Sequence, residues 1–431
     1  PPPACQPGRT GCAAAVDLGT TTVVARLYDL ASGAELATES GWNAQAPYGA
    51  DVISRIQYTL EQPDGLQELS QRSREQVWAL IERALARCGR EADTLREIAL
   101  VGNTVMQHLF AGYSVRSIAA APFQPETLFD ASETVPLHGV PVHLAPCVAG
   151  YVGGDITAGL LAAGLAELPG EHLFLDIGTN GEMALGGRGG FTCCAVASGP
   201  AFEGGDISCG MRATDGAIES CVIDPETMEP TFGIIGEPGQ KPVGLCGSGI
   251  IDTIAELFHA GILNSKGIFV REGKRVAHDR HGCGRYILAT PEESATGREV
   301  ALNEVDIDNF IRAKGAIYSA IDTLLAAMDM DESVIESFYV AGGIGSGINM
   351  RNAVRIGMFP NVPLELFHYI GNSSLAGAYT MALSDEANDR VEQVARNMTY
   401  MELSTHPGYM DAFVAACFLP HTDAARFASA E

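Results

Sequence analysis

Two short stretches carry the residue types that hold a metal-bound phosphate. VDLGTTTVVARLYDL runs from Val16 to Leu30, and LDIGTNGEMAL repeats its opening from Leu175. Each is an apolar strand ending in Asp, followed by Gly, Thr and a second strand. Asp17 and Asp176 come off strand ends as carboxylates, the oxygen ligands suited to a hydrated Mg2+ that keeps several of its waters. Gly19 and Gly178 let backbone N–H groups close in on a phosphate, and Thr20, Thr21, Thr22, Thr179 and Asn180 add side-chain donors. One such turn also suits an ordinary hairpin. Two of them in one chain, facing one another across a cleft, would clamp a phosphate.

Other candidates are open to two readings. In GLCGSGIID (244–252), Gly247 and Ser248 either present backbone amides to a nucleotide or start a helix chosen for tight packing. Glu182 either orients an attacking water or is a solvated residue at a strand edge. SGPAFEGGD (198–206) contains Glu203 and Asp206, where a kinase would keep its general base, or else is a plain surface loop. His108 either faces a cleft or is a satisfied core histidine. Ser373 and Ser374 either offer hydroxyls to a partner or cap a helix. GGIGSG at 342–347 lacks the last glycine of a dinucleotide fingerprint, because Ile348 stands where Gly would be needed.

Composition narrows the classes. The 431 residues are 46% hydrophobic, enough for two or three domains with sizeable cores. With 53 acidic against 27 basic residues the formal charge is −26, which argues against nucleic acid and anionic membranes as partners. No apolar run reaches the ~18 residues of a membrane span, and no basic-then-apolar start suggests a secretory signal. The eleven cysteines form no C-x-x-C, so no zinc ribbon or ferredoxin-type cluster is encoded, and they read as reduced cytoplasmic thiols.

Residues 1–12 are Pro/Gly-rich and read as a linker or a cut end. Strands are expected at 13–18, 22–30 and 34–40, a helix at 66–88, and then IALVGNT, VMQHLFAG, VHLAPCVAGYVGGD and TAGLLAAGLAEL as strand, helix, strand and helix. The order repeats: HLFLDIG with EMALGG, FTCCAVASGP, a long helix over 306–328, SFYVAGGIGSG, PLELFHYIGN and the helix SSLAGAYTMAL. This divides the chain into a first half-domain at 13–168 and a second at 169–384, with an insertion near 200–300. Residues 385–431 are expected to pack on the core as an extension with one strand and one helix.

Two β-β-β-α-β-α-β-α halves, each opening on a DxGT hairpin, resemble the actin-like ATPases, the superfamily of acetate and sugar kinases, heat-shock ATPases and actin. That resemblance implies an α/β fold of two duplicated, ribonuclease H-like half-domains with a nucleotide cleft between them. It makes the two DxGT turns phosphate elements and APCVAGYVGGDITAGLLA and GLCGSGIIDTIAEL connecting elements. VAGGIGSG, with Gly342, Gly343, Gly345 and Ser346, becomes the adenosine-binding turn. Asp155 is then either a water-mediated Mg2+ contact or the N-cap of its helix.

A narrower set, GADVISRI, VGNTVMQHLFAG, LDIGTNGE, SGPAFEGGDI, GLCGSGIID, AGGIGSGIN, IGNSSLAGA and LSTHPGYMDAFVAACFLPH, resembles the ATPase region of reductive activators of corrinoid proteins from about residue 13 to about 424. It implies an ATPase using ATP and Mg2+, with Asp17, Asp176 and Asp155 as catalytic carboxylates. Its partner would be a corrinoid protein in the Co(II) state, reduced to Co(I), with Ser373 and Ser374 turned to that partner. Family members carry iron–sulfur cysteines in an added portion. None is encoded here, so the electron donor is expected on a missing segment or a separate protein. Dimerisation is optional, since both halves lie in one chain. The rival expectations are a small-molecule kinase of the same superfamily, a nucleotide-gated binding module, and a dehydratase activator holding a cluster between subunits.

Overall fold

The structure is a computed structural model that describes residues 8–130, 133–343 and 347–428. Strands β1 (Cys12–Leu18), β2 (Thr22–Asp29) and β3 (Glu35–Trp42) form an antiparallel meander. Helices α1 (Val52–Glu61) and α2 (Gly65–Arg87) lead to β4 (Leu95–Val101), which pairs in parallel with β1. Helix α3 (Thr104–Ala111), the hairpin β5 (Thr134–Leu137) and β6 (Val140–Leu144), and α4 (Gly154–Ala163) complete the first repeat. The sheet order is β3–β2–β1–β4–β6–β5.

The second repeat opens with β7 (Glu171–Ile177), β8 (Gly181–Gly187) and β9 (Gly190–Val196). A segment of short strands follows. It holds a small sheet of β10 (Ala217–Ile223), β11 (Pro230–Ile234) and β12 (Gly244–Leu245), helix α5 (Gly247–His259), and a second small sheet of β13 (Val276–His278), β14 (Gly284–Ala289) and β15 (Val300–Asn303). Helix α6 (Glu304–Ala327) starts where it does because Asn303 accepts from the Val305 and Asp306 N–H groups while Asp306 reaches back to the Asn303 N–H. Then come β16 (Ile335–Ala341), α7 (Met350–Arg355), β17 (Phe367–Gly371), α8 (Ser373–Leu383), α9 (Asp385–Arg396), β18 (Met398–Tyr400) and α10 (Tyr409–Ala416). The second six-stranded sheet has the order β17–β16–β7–β8–β9–β18.

The chain divides into two compact units. One runs from the N-terminal residues to His172 and adds Ala184–Cys194 and Asn372–Tyr400. The other comprises Leu173–Met183, Ala195–Gly371 and the residues from Met401 on. Helix α8, expected to close the second half-domain, packs instead on β1, β4 and α4. Its side chains explain this. On one face of β1, Cys12, Ala14, Val16 and Leu18 join Leu80, Ile81 and Leu109 in a core. On the other face Ala13 and Ala15 meet Ala158, Leu375 and Ala378, and the alanines let two helices lie close to the sheet. Because both faces are covered, β1 reads as a near-continuous apolar run. Helix α9, which the sequence reading did not foresee, buries Ala387, Val391 and Val394 on one face. No helix among the described residues is long and apolar enough to cross a membrane.

Candidate functional site

In the first unit, Asp17 lies at the C-terminal end of β1, opposite Val101 at the end of the parallel β4. Asp17 is half-buried, and that burial pushes its carboxyl up to about 6, opposed by a 2.7 Å bond from the Asn372 amide to Oδ2. The β1–β2 pairing ends at Leu18 and Val23, leaving Gly19, Thr20 and Thr21 as the turn before Thr22 opens β2. A Cβ on Gly19 would lie 2.7 Å from the Thr22 carbonyl oxygen, so glycine is required for this turn to close.

Three carbonyls of that turn are tied to the interior. Asn43 donates its amide to the Gly19 oxygen at 2.8 Å and its backbone N–H to the Thr21 oxygen at 2.9 Å. The Arg55 guanidinium donates to the Thr20 oxygen at 2.6 Å. Arg55 is fully buried, and that desolvation lowers its pKa to about 10. Asn103 caps α3 through its Oδ1 on the Met106 N–H and donates its amide to the Thr20 hydroxyl oxygen at 3.0 Å, leaving the Thr20 hydrogen to donate elsewhere. Asn43, Arg55, Asn103 and Asn372 were not singled out from sequence. A charged residue inside GADVISRI and an Asn heading each of VGNTVMQHLF and GNSSLAGA were the available signals.

Asp155 sits in the first turn of α4, whose N-cap is Gly153, so the capping alternative is corrected. Its backbone N–H donates to the Gly102 oxygen and its Oδ1 accepts from the Ile156 N–H at 2.9 Å. Ser373 and Ser374, expected to face a partner, are buried at 3% and 5% exposure in the first turn of α8, and Ser374 donates to the Asp155 carbonyl. The N-cap of α8 is Asn372, not either serine. His108 is the satisfied core histidine: it is fully buried, its Nδ1 donates to the Thr104 oxygen at 2.7 Å, its Nε2 accepts from the Thr127 N–H, and burial lowers its pKa.

In the second unit, Asp176 lies at the end of β7, and Gly178, Thr179 and Asn180 form the turn, closed by the Gly178 N–H on the Asn180 oxygen at 2.9 Å. Gly342 follows β16 with φ +96°, and a Cβ there would lie 2.5 Å from Asp176 Oδ1 and overlap the Ile177 carbonyl. Glu203 joins the same place. Its Oε2 is 3.4 Å from the Thr179 hydroxyl, and its Oε1 would be 3.3 Å from a Cβ on Gly178 and 3.2 Å from one on Gly343. Burial raises the Glu203 pKa, while the Arg212 charge and the Thr179 bonds oppose the rise. Asp206 is exposed, so the acidic pair is split. Glu182 is buried at 7% exposure, which removes the solvated-edge alternative.

Ser248, in the first turn of α5, is buried, and its Oγ would be 3.6 Å from a Cβ on Gly347, so the start of α5 abuts the glycine-rich turn after β16. Gly345 and Ser346 lie outside the described residues. A surface cavity of about 580 Å³ on α2, lined by residues that include Gln67, Arg74 and His138, contains none of these residues. Among the described residues no three His, Cys, Asp or Glu side chains group closely enough to hold a metal ion.

Comparison with known proteins identifies the family. The model of the RACo middle region matches residues 12–168, and that of the C-terminal domain of RACo, the ASKHA domain, matches residues 171–431. Corrinoid activation enzyme RamQ of Eubacterium limosum is 32% identical over 418 residues, covering 93% of this chain and 69% of the relative. The Co(II) methylated amine-specific corrinoid protein reductase of Methanosarcina barkeri is 25% identical over 420 residues, covering 89% and 72%. A solved reductive activator for corrinoid, iron–sulfur protein superposes with a TM-score of 0.90 at 41% identity, over 98% of this chain and 68% of that one. The fold is the actin-like ASKHA fold, and the chain belongs to the RACo family of reductive activators of corrinoid proteins.

Proposed function

We propose that this chain is an ATP-dependent reductive activator of a corrinoid protein, in which nucleotide binding and hydrolysis are coupled to reduction of an inactive Co(II) corrinoid to Co(I). The observation that carries the nucleotide part is the repeated strand–Asp–x–Gly–Thr turn. In the first copy, interior donors from Asn43 and Arg55 take up the Gly19, Thr20 and Thr21 carbonyls. In the second, Gly342 leaves room for Asp176 that any side chain would fill. Carbonyls tied inward keep their negative ends away from an anion, the arrangement a phosphate-binding turn needs. Asp17 in its unit, and Asp176 separately in the other, are each a carboxylate that would hold a hydrated Mg2+ through its waters, and such an ion would offset phosphate charge. Gly342 and Gly343 would face the adenosine, with Ser248 beside the same turn. Glu203, on Thr179, would orient the water that cleaves the terminal phosphate, giving ADP and phosphate.

The electron that reduces the cobalt would be supplied by an iron–sulfur donor. Nucleotide is useful because each ~59 mV of an uphill one-electron gap is a tenfold disadvantage. ATP can shift that balance only if the chain binds one cobalt state more tightly than the other. The relatives' names supply the corrinoid partner; the donor is part of the proposal, and dimerisation is optional to it. The ten described cysteines are all free, in keeping with a reducing, cytoplasmic setting.

The test is steady-state ATP hydrolysis by the chain alone and with a Co(II) corrinoid protein. Slow basal turnover that rises with the Co(II) form, and not with the methylated form, is the expected result. Turnover indifferent to every corrinoid state would overturn the coupling, and phosphoryl transfer to a hydroxyl or carboxylate acceptor would replace it with a kinase, for which Glu203 is the available base. Asp17→Ala should abolish both hydrolysis and reactivation.

A further inference from the structure

Asn372 occupies the junction of β17 and α8, and both ends of its amide are committed. Its Oδ1 accepts from the Leu375 N–H at 2.7 Å, capping α8, and its Nδ2 donates to Asp17 Oδ2 at 2.7 Å. The capping bond decides which end of the amide is oxygen, so the amino end has to meet the carboxylate. Few residue types satisfy both demands. Ser and Asp cap a helix as well as Asn does, but Ser is too short to reach Asp17 and Asp would oppose it with a second oxygen. The N-terminal end of the α8 dipole adds a partial positive charge on the same side, which favours an ionised Asp17.

We propose that Asn372 is a positioning residue for Asp17: it occupies Oδ2 and so fixes the carboxylate in one rotamer, leaving Oδ1 as the oxygen offered to the hydrated ion of a bound nucleotide. This rests on the reading of Asp17 as a Mg2+–nucleotide carboxylate. It also gives α8 a part that neither cap nor partner contact supplies, because the helix then carries the group that aims the metal ligand. Groups that orient a metal ligand are worth about 10–100-fold in metal affinity when removed.

The test uses the full chain with ADP, whose binding is followed by calorimetry at graded Mg2+ and again in a chelator. Asn372→Asp keeps the cap and reverses the polarity facing Asp17; Asn372→Ser keeps a capping hydroxyl and simply loses the donor. Both should raise the Mg2+ concentration for half-maximal ADP binding about tenfold, with Mg2+-free binding and the melting temperature near those of the parent. Asp17→Ala should lose the Mg2+ dependence altogether. If both Asn372 variants keep the parent's Mg2+ dependence while Asp17→Ala loses it, Asn372 has no such role and the reading of Asp17 stands. A parental Mg2+ dependence in Asp17→Ala overturns both. A shift confined to Asn372→Asp marks charge repulsion alone, and equal losses with and without Mg2+ mark a disturbed α8; either result overturns the positioning role.

Discussion

Gly342 shows at the residue scale what the second turn demands of the chain. Its φ of +96° is a conformation that L side chains rarely adopt, and the space a Cβ would take is held by Asp176 and the Ile177 carbonyl. Gly342→Ala should therefore destabilise the second unit by about 1–3 kcal/mol and weaken nucleotide binding more than tenfold, read from urea unfolding and ADP titration. Parental ADP affinity in this variant would remove the turn from the site. Glu203→Gln is the companion prediction: a water-orienting carboxylate predicts a fall in ATPase kcat of about 100-fold with little change in KM, because the amide keeps the Thr179 contact but cannot accept a proton. A change in KM alone would instead make Glu203 a binding group.

At the scale of elements, the packing of α4 against α8 carries the first site. A Cβ on Gly377 would lie 2.6 Å from the Ala158 methyl and overlap the Ala158 carbonyl, so the two helices touch backbone to backbone. Asp155 begins one of these helices and Asn372 caps the other. Gly377→Ala should cost about 1–3 kcal/mol of stability, seen as a lower urea midpoint, because a methyl group has no room there. Gly189→Ala is the control. A Cβ at that position meets nothing within 4 Å, so the midpoint should move little. Equal effects of the two substitutions would show that helix contact is not what sets the cost.

For the molecule as a whole, stability carries a pH signature from Lys314. This lysine of α6 is fully buried, and its amine donates to the Pro420 oxygen at 2.5 Å and the Gly357 oxygen at 3.3 Å, tying the C-terminal residues down. Burial lowers its pKa from 10.5 to about 7, opposed weakly by Cys417. Between those two values the unfolded chain binds the extra proton, so the Lys314 contribution becomes more favourable as pH rises from about 7 towards 10.5 and is flat below 7. Relative to Lys314→Met, the unfolding free energy of the parent should rise across pH 7 to 9.5, measured by denaturant titration at each pH. A difference independent of pH would mean that the folded amine titrates normally.

The order of elements, both Asp–x–Gly–Thr turns and the glycine-rich turn after β16 were legible in the sequence, because each is local: a strand's apolar run, its terminal carboxylate and the glycines that follow are adjacent along the chain. The partners of those groups were not legible. Arg55 reaches Thr20, Asn103 reaches Thr20, Glu203 reaches Thr179 and Asn372 reaches Asp17 across many intervening residues. A side chain's role in such a contact depends on where its element is packed, which spacing alone does not encode. The same reason explains why Ser373 and Ser374 read as exposed hydroxyls and are buried, and why α8 packs with the first sheet. Local residue pattern determined which groups are candidates for the chemistry. Tertiary packing, through small residues that let α4 and α8 lie close together, decided which side chains those candidates meet.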